Sequence, residues 1–168
     1  MKKLISTSLV LMLGLPTIIA LAQRSGVPKV AASAPCLDFH RKSCLRSPDE
    51  GFAYNGQSRS GLFAKGQSST IKVVFYKGMD YHISVCCEEK TPINFSITDA
   101  KPGGKVLYDN STDNNTSEIQ LTNENTQHVN IVVSIPGGDA KEIDKIKGTE
   151  GMCVGLLIEH RRSDKTGF

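Results

Sequence analysis

The feature that most constrains this chain is a two-residue rhythm of apolar and polar side chains. Tyr81, Ile83, Val85 and Cys87 alternate with His82, Ser84 and Cys86, and Ile93, Phe95 and Ile97 alternate with Asn94, Ser96 and Thr98. Ile119 and Leu121 keep the same beat, as do Val129, Ile131, Val133 and Ile135. A period of two places every second side chain on one face, which is the pattern of a half-buried strand. Turn formers separate the segments at Lys77-Gly78-Met79-Asp80, Lys101-Pro102-Gly103-Gly104, Asn123-Glu124-Asn125 and Pro136-Gly137-Gly138. With further strands at 105–108 and 152–158, the count reaches about eight at hairpin-scale spacing. The expected fold is all-β: a single antiparallel β-sandwich, jelly-roll-like, with a disulfide-stapled N-terminal segment.

Two local expectations follow. Ile71, Val73 and Phe75 occupy one face while Val74 and Tyr76 occupy the other, so 71–76 reads as a central strand. The short reversal at 77–80 then makes 71–76 and 81–87 a hairpin. Residues 56–61, Gly-Gln-Ser-Arg-Ser-Gly, read as a loop. Residues 139–151 are charged and fit one helical turn or a solvated loop.

The N-terminus reads as an address. Lys2 and Lys3 precede an apolar stretch over 4–21, Pro16 interrupts it, and it closes on Ala20-Leu21-Ala22, a small-x-small cleavage pattern. The expected organisation is a signal peptide over 1–22, an N-terminal linker with a local disulfide over 23–50, and the sandwich over 51–168. The destination is the periplasm or the extracellular space. Without Lys2 and Lys3, 18 basic residues face 17 acidic ones, so the apparent basicity belongs to the leader. A nearly neutral domain has no general attraction for nucleic acid phosphates. No other apolar run is long enough for a transmembrane segment in the mature chain. The pattern leaves the oligomeric state open.

All five cysteines lie beyond the leader: Cys36, Cys44, Cys86, Cys87 and Cys153. In an oxidising compartment disulfides are their first expectation. Cys36 and Cys44 share a loop-like stretch poor in apolar residues and are expected to pair locally. Cys153 is expected to pair with Cys86 or Cys87. Strand neighbours face opposite ways, so one of those two remains a thiol. The adjacent pair lacks the Cys-x-x-Cys spacing of a redox site.

Residues 61–160 resemble the small jelly-roll-like sandwiches called pre-peptidase C-terminal domains. The segments that carry the resemblance are Phe75-Tyr76-Lys77-Gly78-Met79-Asp80-Tyr81-His82-Ile83-Ser84-Val85, Ile93-Asn94-Phe95-Ser96-Ile97-Thr98-Asp99 and Gly104-Lys105-Val106-Leu107-Tyr108-Asp109-Asn110. The chain also looks like a group of small exported bacterial proteins of unknown function, through Cys153-Val154-Gly155-Leu156-Leu157-Ile158-Glu159-His160 and Lys165-Thr166-Gly167-Phe168. These resemblances imply a fold and a location, and no activity. The chain departs from the pre-peptidase pattern in having no protease attached.

Candidate chemistry is sparse. The densest cluster of hard oxygens is 109–118, where Asp109, Asp113, Asn115 and Glu118 form a candidate calcium loop. The EF-hand spacing is absent, and Asp, Asn, Ser and Thr are also the ordinary residues of a β-turn. His82 and Cys86 share a strand face by parity, and His160 on a neighbouring strand would complete a three-ligand zinc or copper set. No nucleophile elbow, Walker loop or His-Glu-x-x-His occurs. With no Trp, the rings to test for sugar stacking are Phe52, Tyr54 and Tyr76. The expectation is an exported non-catalytic binding or interaction module of the cell envelope, its partner an envelope protein or a glycan, with no required cofactor. The alternatives are a calcium-dependent or calcium-stabilised glycan-binding module and a periplasmic enzyme of unrecognised type.

Overall fold

The computed structural model describes residues 35–89, 91–137 and 151–164. The expected leader lies outside them, as does the charged segment 139–151 apart from Gly151. Nine strands among these residues form two antiparallel sheets, as a β-sandwich requires. They are β1 (Ala53–Tyr54), β2 (Arg59–Phe63), β3 (Ser68–Phe75), β4 (Met79–Cys87), β5 (Asn94–Asp99), β6 (Val106–Asp109), β7 (Glu118–Asn123), β8 (Gln127–Ser134) and β9 (Met152–Arg162). A five-residue helix, α1 (Phe39–Ser43), precedes them, and a 3-10 turn (Asn110–Thr112) follows β6. Sheet A runs β1-β9-β4-β7, with β2 also pairing β9, and sheet B runs β3-β8-β5-β6.

The alternating residues meet between the sheets. Tyr81, Ile83 and Val85 from β4 and Met152, Val154, Leu156 and Ile158 from β9 face Val73, Phe75, Phe95, Ile97, Val129, Ile131 and Val133 from sheet B. Each such side chain removed from water contributes about 1.5–3 kcal/mol before entropy is charged against it.

Three local expectations are corrected. Segments 71–76 and 81–87 are not a hairpin: β3 pairs β8 from Ser68↔Ser134 to Phe75↔Gln127, while β4 pairs β7 and β9. Gly78, at φ 72°, turns the chain from one sheet to the other. The crossing places the Phe75 and Tyr81 rings 4.4 Å apart, and the Tyr81 hydroxyl accepts the Tyr76 N–H at 2.8 Å. A tight turn has the same sequence signature whether the chain folds back beside itself or passes to the facing layer; burial of two apolar faces decides. Nor is β3 central, because it borders sheet B. Its free edge is closed by the Gln57 amide, which donates to Val74 O and accepts Val74 N–H. Finally, the stretch 56–61 is loop only as far as Ser58, because Arg59, Ser60 and Gly61 belong to β2, which pairs β9.

The cysteine pairing is also corrected. Cys36 bridges Cys153 and Cys44 bridges Cys86, so no local Cys36–Cys44 bond forms and Cys153 joins neither Cys86 nor Cys87. Cys87 is the free thiol. Helix α1 stands between Cys36 and Cys44, and each reaches a different strand of sheet A. The bridges hold residues 36–50 as a strap across the outer face of that sheet. The strap explains why β9 is buried on both faces: Leu157 and Glu159 lie beneath the strap, while Leu156 and Ile158 face the core.

Candidate functional site

The strap closes over a polar centre. His82 and Ser84 on β4 and Glu159 on β9 point away from the core and are buried. The Ser84 hydroxyl donates to Leu45 O at 2.7 Å. One Glu159 oxygen accepts the Ser47 N–H at 2.7 Å, and the other lies 3.5 Å from Arg46 Nη1. His82 Nε2 meets Glu118 Oε2 at 3.0 Å. Its Nδ1 lies 3.3 Å from Glu159 Oε2 but off the line of a hydrogen bond. A buried carboxylate is costly unless donors surround it. The Ser47 N–H and Arg46 from the strap meet that need.

A second cluster ties α1 to β2. The Ser60 hydroxyl oxygen accepts the His40 backbone N–H at 2.9 Å and lies 2.6 Å from His40 Nδ1, while Nε2 is 3.2 Å from the Tyr54 hydroxyl. Burial lowers the His40 pKa, and neighbouring Arg41 and Arg59 add to the effect against Asp38. Nothing in the residue pattern marks this contact, because Ser60 lies in a stretch that reads as loop and His40 in one that reads as linker.

The structure separates His82, Cys86 and His160. Cys86 is bridged, and His160 faces the core side of sheet A beside Tyr81, with ring centroids 6.2 Å apart. His82 is on the opposite face, so the three do not converge. In the 109–118 loop, Asp109 accepts the Ser111 N–H at 2.9 Å, and hydrogen bonding from the Ser111 side chain first and its N–H second holds the Asp109 carboxyl below its ordinary value. Asp113 Oδ2 accepts the Tyr108 hydroxyl at 3.1 Å. Asn115 takes a left-handed conformation at φ 53°, which Asn tolerates. Glu118 turns to His82. Among the described residues no group of three or more His, Cys, Asp and Glu is arranged to hold a metal ion.

Asn110 organises this loop. Fully buried, it accepts the Phe95 N–H and donates to Ile93 O and Thr116 O, while its own carbonyl accepts the Asp113 and Asn115 N–H groups. The rings singled out for sugar stacking differ in availability. The Arg41 guanidinium lies 3.9 Å over Tyr54 and that of Arg161 lies 4.6 Å over Phe52, whereas Tyr76 is exposed.

Sheet B presents a different surface. Thr70, Lys72, Asn94 and His128 on its outer face are exposed, and no described segment crosses them. At one end of this face the turn after β5 and the start of β8 enclose an open cleft of about 610 Å³.

No protein-family model matches the chain, so its resemblance to pre-peptidase C-terminal domains rests on the quoted segments alone. No curated protein matches it either. Among solved structures the chain is similar to PliG of Aeromonas hydrophila, a periplasmic lysozyme inhibitor of g-type lysozyme. The match has 14% identity and a TM-score of 0.39, and covers 70% of this chain and 90% of that one. At that score the likeness carries no argument about function.

Proposed function

We propose that the protein is an exported, non-catalytic β-sandwich that serves as an interaction module of the cell envelope, with the outer face of sheet B as its contact surface. The observation that carries this is the inequality of the two outer faces. Sheet A is sealed by a covalently tethered strap, whereas sheet B is uncovered among the described residues. Export is supported by the leader-like N-terminus and by two disulfides, which persist in oxidising compartments. A non-catalytic role is supported by what surrounds the reactive groups. His40, His82 and Glu159 are buried and tie the strap to sheet A.

Site-specific photo-cross-linking in the exporting cell tests this. A photoreactive residue at Asn94 or Thr70 on sheet B is expected to give a discrete adduct, and one at Lys42 on the strap is not. Adducts from Lys42 alone, or from no position, overturn the assignment of the contact face.

A further inference from the structure

We propose that the cleft at the end of sheet B binds an acidic saccharide, a sugar carrying carboxylate or phosphate. This deepens the function proposed above and rests on sheet B being the contact face. Lys72 on β3, Lys101 on the turn after β5 and His128 on β8 line the cleft with Asp99. Asp99 is the carboxylate among the lining residues, and it is already engaged. It accepts the Lys101 N–H at 3.0 Å and lies 3.6 Å from Lys101 Nζ. Among the described residues Lys72 has no carboxylate within ion-pair distance. The cleft therefore holds an excess of positive charge, and an anion placed there gains charge-assisted hydrogen bonds.

Neutral groups in the cleft ask for hydroxyls. Thr126 Oγ1 accepts the Lys77 N–H at 3.0 Å, which leaves its own hydrogen to donate. Gln127 directs one amide hydrogen to Asn123 and keeps the other. An anionic group together with hydroxyl oxygens that accept these hydrogens describes an acidic sugar.

An acidic peptide fits less well. Peptides commonly bind sandwiches by adding a strand to a sheet edge. The edge nearest Lys72 is β3, and Gln57 already occupies the Val74 N–H and C=O there. The cleft's apolar lining is limited to Ala100 and Pro102, a small seat for apolar side chains.

Titration of the isotope-labelled mature protein with a uronate oligosaccharide, its uncharged counterpart and an oligoglutamate of equal charge tests the proposal; a phosphorylated oligosaccharide distinguishes the two sources of charge. The acidic sugars are expected to shift amide signals at 99–101 and 126–128. Lys72→Ala and Lys101→Ala should each weaken binding about tenfold, the loss of one charge-assisted contact, while Lys42→Ala on the strap changes nothing. Equal binding of oligoglutamate, shifts elsewhere on the surface, or no shift overturns the proposal. If no acidic sugar shifts the cleft but cross-linking from Asn94 still yields a discrete protein adduct, the ligand class fails and the contact face stands.

Discussion

Tyr108 shows how a polar turn governs the ionisation of a ring behind it. Burial pushes its phenol up to about 12, and the carboxylates of Asp113, which accepts its hydrogen, and of Asp109 add to the rise. Both effects penalise the phenolate. The sign follows from linkage. A folded-state value above the ordinary tyrosine value of about 10 stabilises the fold in full below that pH, and the contribution is lost as pH rises toward about 12. Asp113→Ala removes the hydrogen bond and leaves the burial. Ultraviolet titration of the variant is expected to show the Tyr108 part of the late tyrosine transition moving down part of the way, and Tyr108→Phe should remove that part and leave the contribution of Tyr81, whose phenol burial also raises. A late transition that Asp113→Ala does not move would assign the whole effect to burial.

At the scale of elements, the contact between the strap and β9 depends on one missing side chain. A Cβ at Gly155 would stand 2.8 Å from His40 Cα, 2.8 Å from Cys44 Sγ and 2.9 Å from Cys86 Sγ. The His40 atom is backbone and the two sulfurs are joined to each other, so none of them yields cheaply. Gly155→Ala is expected to cost about 1–3 kcal/mol by overpacking and to speed hydrogen exchange of the strap amides. Gly56→Ala, where nothing lies within 4 Å, should stay within about 0.5 kcal/mol of wild type by urea unfolding. The alternation in β4, β5, β7 and β8 was legible because each buries one face against the other sheet, and a period of two records that directly. The apolar run of β9 announced a buried strand but not its second cover, since the strap is poor in apolar residues and is held by covalent bonds that spacing alone does not assign. β2 was missed because Arg59-Ser60-Gly61 sits at a sheet edge, where little alternation is required. Asn110 was read as one turn residue among many, because nothing in the sequence marks which Asn of such a run turns inward.

For the molecule as a whole, the placement of the disulfides separates two kinds of stability. The Cys36–Cys153 bridge spans 117 residues and the nested Cys44–Cys86 bridge spans 42. Chain-entropy arguments assign about 4–5 and about 4 kcal/mol to loops of these lengths, not additively, because one lies within the other. Both bridges run from the strap to the outer face of sheet A, and neither crosses the apolar layer between the sheets. Reduction should therefore release residues 36–50 before it melts the sandwich. The far-ultraviolet circular dichroism of strands is expected to persist at moderate temperature in reductant. Meanwhile the Ser47 amide, which donates to Glu159, should exchange with solvent far faster. A thiol reagent that labels one site, Cys87, in the oxidised protein should then label five. Loss of the strand signal in step with the four new thiols would instead make the strap part of one cooperative unit with the core. His82 and Glu159 would then be essential to folding of the whole sandwich, and not only to seating its cover.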